Sequence, residues 1–274
     1  MKRPDTDNRW WFAAAVIAAA VVGVAVRLAG AGDRTLFWDE AYHVRLALEP
    51  TVGAVLGAVL ANPPSDPLYS LVLYGWTALA GTSDFAVRLP SIAFAALTVV
   101  ATAWLALELT ASPRVAVLAA VLVALAPYAV EYGQEASLYS LATLTTTLAL
   151  AAGWRWRASG RRGDAALAIV LAIVAIYSHY VVAAVLALAG ALSLARLAGP
   201  RSIGVRQVAI AASIVLIVWL PWLVPMLFSW IDTDVPRTAL PHGATVAELL
   251  GALSQYASGS GALLEGVRPL QVMG

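Results

Sequence analysis

The feature that most limits the fold of this chain is a series of long apolar runs: Trp10 to Gly30, Pro90 to Thr110, Val115 to Val130, Leu138 to Trp154, Ala165 to Leu197 and Val208 to Phe228. A helix of about 20 apolar residues crosses a hydrocarbon core of about 30 Å, and a chain in lipid must satisfy its backbone polar groups internally. With 61% hydrophobic and 12% charged residues over 274 positions, the chain carries more apolar surface than a water-soluble domain can hide. The expected fold is therefore all-α and polytopic in a cell membrane, with the bilayer as its first partner. A net charge of +1 offers no basic surface for nucleic acid, and the absence of Cys removes disulfides, thiolate nucleophiles and cysteine-bound metals.

Orientation follows from the basic residues. Lys2, Arg3 and Arg9 precede the first run and place residues 1–9 in the cytoplasm, with the run kept as an uncleaved helix rather than a signal peptide. Residues 31–89 then form the first external loop, with short helices embedded in it. Its apolar piece, Pro67 to Ala80, is about 21 Å long as a helix, too short to span, and lies at the interface with Tyr69, Tyr74 and Trp76 at headgroup depth. Pro113 ends one span and starts the next. The basic loop holding Arg155, Arg157, Arg161 and Arg162 is cytoplasmic. The 33 residues from Ala165 to Leu197 have basic flanks on both sides, so they are read as two short helices turning outside at Tyr177-Ser178-His179-Tyr180. This gives about seven spans between residues 10 and 230 and an external tail over 231–274. Eleven of the seventeen Lys and Arg then lie in the cytoplasm.

In this topology four polar clusters share the outer side: Trp38 to His43, Ser65 to Tyr69, Glu131 to Ser137, and Ser178 to Tyr180. The adjacent carboxylates Asp39 and Glu40 can supply a general base and an orienting group, because a partly apolar setting raises a carboxylate pKa. They can equally solvate the loop, with Asp39 as the N-cap of a following helix. Gln134 and Glu135 are either glue between spans or part of a polar pocket. His179 is a pocket residue or an interhelical hydrogen-bonder. Arg88, at the entrance of the second span, either meets a lipid phosphate or anchors the helix at the interface. Three histidines with no close pair make a His-based metal site a poor fit.

Trp38-Asp39-Glu40-Ala41, Pro67-Leu68-Tyr69, Arg88-Leu89-Pro90-Ser91, Tyr132-Gly133-Gln134-Glu135-Ala136, Tyr177-Ser178-His179-Tyr180 and Pro221-Trp222 follow one another in the chain. In this order and spacing they resemble the family 39 type membrane glycosyltransferases, relatives of protein O-mannosyltransferases and lipid A aminoarabinose transferases with the GT-C fold. The resemblance covers roughly residues 10 to 230. It implies transfer of a sugar from a polyprenyl phosphate donor to a cell-envelope glycan, lipid or protein acceptor, on the extracytoplasmic side and with inversion at C1. It further implies Asp39 as the base, with Glu40 in support. Arg88, Tyr69, Gln134, Glu135, His179 and Tyr180 are then expected around the donor phosphate, and His43 and Asp66 at the acceptor or a metal.

The pattern also departs from the family. Ser65 and Asp66 stand where a basic residue is usual before Pro67, and Ser137 stands where an Arg usually follows the Gln-Glu-Ala segment. Arg88, or a divalent cation held by Asp66, would have to take over those phosphate contacts. Family members carry several more spans, so the chain corresponds to an N-terminal module: a fragment, a remnant, or a subunit completed by a second membrane chain. The rival function is that of a non-catalytic protein that binds a polyprenyl lipid or scaffolds a partner.

Overall fold

A computed structural model describes residues 10–61, 65–194 and 203–232. Every regular element among them is a helix: α1 (Trp10–Leu28), α2 (Trp38–Ala47), α3 (Val52–Ala61), α4 (Pro67–Ala80), α5 (Asp84–Thr110), α6 (Pro113–Leu125), α7 (Pro127–Gly133), α8 (Leu138–Ser159), α9 (Arg162–Ser178), α10 (Val182–Leu194) and α11 (Val205–Asp232). The chain is an all-α membrane protein. Helices α1, α5 and α11 are each long and apolar enough to cross a bilayer, and the bent pair α6–α7 makes a fourth if it counts as one span. The expected number of seven goes beyond this. Helix α8 carries Thr143, Thr145, Thr146 and Thr147 within its 22 residues, while α9 and α10 have 17 and 13 residues. The expected cytoplasmic segment 1–9 lies outside the described residues, as does the external tail beyond Asp232.

Local sequence explains where these helices start and stop. Ser83 accepts the N–H of Ala86 and opens α5 six residues ahead of the expected start at Pro90, which sits inside the helix. Ser112 accepts the N–H of Val115, with Pro113 in the first turn of α6, where a missing N–H costs nothing. Pro127 breaks the expected single run from Val115 to Val130: α6 and α7 meet at 59°. The expected basic loop shrinks to Gly160 and Arg161, because α8 runs on through Arg155 and Arg157 to Ser159, and α9 begins at Arg162. Gly160 supplies the left-handed φ of 65° that ends α8.

Of the five cores among the described residues, two position the site. Val16 and Ala19 of α1, Val99 and Ala103 of α5, and Ala116, Ala120 and Ala124 of α6 form a core of small side chains. Such residues let membrane helices approach closely, which is how packing is gained where lipid is as apolar as protein. A second core joins Val44 and Ala47 of α2, Tyr69 and Leu73 of α4, Val87 of α5, and Ala136, Leu138 and Leu141 at the start of α8. It is built from the same elements, α2, α5 and the turn before α8, that carry the polar residues considered next.

Candidate active site

The expected polar clusters come together through hydrogen bonds. Glu40, on the first turn of α2, is the junction. Its Oε1 accepts from Arg88 Nε at 2.7 Å and from the Ala136 N–H at 2.9 Å. Its Oε2 accepts from Arg88 Nη2 at 2.8 Å and from the Phe37 N–H at 2.9 Å. All four lone-pair positions of the carboxylate are filled. Arg88 is equally engaged: Nη1 donates to the carbonyls of Ala31 (2.7 Å) and Arg34 (2.8 Å), and Nη2 also reaches Thr35 O at 3.3 Å. Its five N–H groups therefore all have protein acceptors, and the residue is 3% exposed. In this arrangement it offers no donor to a phosphate. Burial alone would raise the Glu40 pKa, but the Arg88 hydrogen bond, the N–H groups of Ala136 and Phe37 and the Arg88 charge outweigh it and hold the carboxyl low.

Asp39 has the opposite surroundings. The N-cap of α2 is Phe37, so Asp39 is the second residue of the helix and not its cap. It is half-buried, and among the described residues no hydrogen bond or ion pair holds its carboxylate. Burial, and then the neighbouring Glu40 charge, push its pKa up.

The turn after α7 packs against this pair. Gln134 Nε2 donates to the carbonyls of Arg27 (3.1 Å) and Ala29 (2.9 Å), and so closes the C-terminus of α1. Gln134 Oε1 accepts from Arg34 Nη2 at 2.8 Å. The Glu135 carboxyl is pushed up to about 7, first by burial and then by the charges of Glu40, Glu131 and Asp39, with Arg34 opposing.

Other expected site residues stand deeper. Tyr69 is fully buried, with its hydroxyl 3.0 Å from Ser91 Oγ, and His43 packs edge-on against its ring. Burial lowers the His43 pKa to about 4, so the ring is neutral. Asp66 Oδ2 accepts the Tyr180 N–H at 2.8 Å and lies 3.6 Å from His179 Nδ1, which joins the first external loop to the turn between α9 and α10. Burial raises Asp66 to about 7 against the pull of that N–H. Burial lowers His179. Among the described residues no third His, Asp or Glu joins Asp66 and His179, so they do not make the His and carboxylate cluster of a zinc-type site. A groove of about 300 Å³, lined in part by Tyr139, Thr143, Thr147, His179, Val182 and Val185, opens beside this turn.

Sequence reasoning had passed over Arg27. It is the one charge in the first apolar run, a signal in itself because an ionisable side chain within a membrane helix is costly.

Comparison with known proteins bears on what this constellation does. The profile of the dolichyl-phosphate-mannose-protein mannosyltransferases matches residues 62–224, more than half of the chain. The chain belongs to this family. The mannosyltransferase match takes in Asp66, Tyr69, Arg88, Gln134, Glu135, His179 and Tyr180, and begins after Asp39, Glu40 and His43. It makes the chain a membrane glycosyltransferase of the mannosyltransferase kind and agrees with the family 39 resemblance of the sequence. No curated protein and no solved structure matches the chain.

Proposed function

We propose that this mannosyltransferase-family chain moves a sugar from a polyprenyl phosphate donor to a hydroxyl of a cell-envelope acceptor, on the extracytoplasmic side and with inversion at C1. The observation that carries the reading is the contrast between two adjacent carboxylates. Glu40 is filled by four hydrogen bonds, whereas Asp39 is half-buried and unpaired with a raised pKa. A base must have a free lone pair and an affinity for a proton, and Asp39 has both.

In this reading Asp39 takes the proton of the acceptor hydroxyl as its oxygen attacks C1 of the sugar. The C1–O bond to the lipid phosphate breaks, and the phosphate leaves with the electron pair. Glu40 and Arg88 hold α2, the 31–35 segment and the Ala136 turn in register and touch no substrate. The phosphate charge needs a cation with N–H groups to spare. Arg34 is exposed and held by a single hydrogen bond to Gln134 among the described residues, so it replaces Arg88 in that role. The first units of the polyprenyl tail lie in the groove between α8 and α10.

The test is sugar transfer from a polyprenyl phosphate donor by purified wild type and Asp39→Asn. The substitution keeps the shape but cannot accept the proton, so turnover falls by about 10² to 10⁴ with donor binding retained. Turnover unchanged in Asp39→Asn removes the base from this position. A wild type that binds the donor but transfers no sugar favours the non-catalytic lipid-binding reading.

A further inference from the structure

Arg27 lies in the last turn of α1 and is 1% exposed. Its Nη1 donates to Gly23 O and to Ala124 O, both at 2.9 Å, and its Nη2 to Val123 O at 3.4 Å and Ala129 O at 2.8 Å. The last three acceptors straddle the break between α6 and α7. Pro127 has no N–H to offer Val123 O, its acceptor in an uninterrupted helix, so the break frees a carbonyl in an apolar setting. The guanidinium meets that need from a neighbouring helix.

The glycines around it are fitted to this side chain. A Cβ on Gly133, the last residue of α7, would overlap Arg27 Nε, would lie 2.8 Å from its Cδ and would stand 3.0 Å from Ala95 Cβ. A free arginine could swing aside, but this one is pinned at four carbonyls, so Gly133 marks a place reserved for it. A Cβ on Gly23 would come within 3.2 Å of Nη1 and 3.4 Å of Ala124 Cβ, which allows α1 to press against α6.

From Gly133 the chain runs directly into Gln134, Glu135 and Ala136, and the Ala136 N–H is one of the four donors on Glu40. We infer that Arg27 is a positioning residue: by bracing the α6–α7 break it fixes the turn that presents the Ala136 N–H to Glu40 and Glu135 to the site. This rests on the proposed transferase reading for its consequence in turnover, although the geometry stands without it. Gln134 ties the same turn to the end of α1, so both ends of the brace leave one helix.

The test uses the full chain in lipid nanodiscs, comparing wild type, Arg27→Met, Gly133→Ala, Arg27→Ala and the Arg27→Ala/Gly133→Ala pair. Amide hydrogen exchange reports the turn directly. Arg27→Met and Gly133→Ala are expected to speed exchange of the Ala136 amide about tenfold, the loss of one net hydrogen bond, and to leave α9 at the wild-type rate. Gly133→Ala adds less once Arg27 is already Ala than it does in the wild type, because only the 3.0 Å approach to Ala95 Cβ then remains. In the transfer assay kcat falls by about 10²-fold while the donor KM holds, as for a misplaced site. An Ala136 amide at the wild-type rate in both single variants overturns the inference, and so does exchange that rises uniformly through α5 and α8 in both. If Arg27→Met alone unfolds, the milder Gly133→Ala decides. Absence of transfer by the wild type would count against the transferase reading only, since the exchange result judges the brace by itself.

Discussion

Asp39 and Glu40 are neighbours in sequence with the same functional group, yet the fold gives them opposite surroundings. Glu40 is 3% exposed and locked to Arg88, so Glu40→Gln leaves a buried guanidinium without its counter-charge. Breaking one side of a buried pair costs about 3 to 5 kcal/mol. Asp39→Asn removes no bond, and its stability is expected to stay within about 0.5 kcal/mol of wild type. Thermal melts of the two variants check this, and equal losses would show that Asp39 has a structural partner. At the same scale, Arg34→Ala is expected to weaken binding of a polyprenyl phosphate by about 1.5 to 3 kcal/mol, the worth of a hydrogen bond to a charged group. Arg45→Ala should change it little, since Arg45 stands over the Tyr42 ring at 5.7 Å. Equal effects in a donor-binding titration would return both arginines to the interface. The sequence showed the carboxylate pair but not which member was free, because that choice depends on Arg88 and Ala136, 48 and 96 positions away.

Among the elements, α4 and the turn between α9 and α10 were fully legible. Pro67, the apolar run and Gly81 bound α4 at the expected residues, and basic flanks on both sides of one long run forced the turn near His179. The break at Pro127 was not read, because the apolar pattern continues through it to Val130; α7 becomes visible only where Arg27 meets the carbonyls around the break. The α9–α10 turn is docked on Asp66, and that contact titrates. Folded Asp66 keeps its proton to about pH 7, against 3.8 when unperturbed. Between about pH 4 and 7 the folded state therefore binds more protons than the unfolded chain, and stability falls as pH rises. Asp66→Asn still accepts the Tyr180 N–H but does not titrate, so its Tm is expected to fall less across this window. Glu135, also raised to about 7, adds a slope of the same sign that the double variant with Glu135→Gln removes. A wild-type Tm that is flat from pH 4 to 7 would contradict both assignments.

At the scale of the whole molecule, orientation is read with single introduced thiols, for which the absence of Cys leaves a clean background. Ser159 and Thr82 are both exposed and belong to opposite ends of the helices in the proposed topology. A Ser159→Cys variant is expected to resist an impermeant thiol reagent in intact cells, whereas Thr82→Cys should react. Labelling at Ser159 from outside would move the site to the cytoplasm. The sequence by itself determined the membrane class, the helical fold and the segments that carry polar groups, because these follow from local hydropathy and from Pro, Ser and Gly at helix ends. Only the tertiary structure decided that Arg88 pairs with Glu40, that Gln134 closes α1, and that Arg27 spans a broken helix. Each of those bonds joins residues far apart in the chain. Away from water, the partner of a buried charge or an orphaned carbonyl is whichever group packing brings within hydrogen-bond reach, and no local pattern encodes that neighbour.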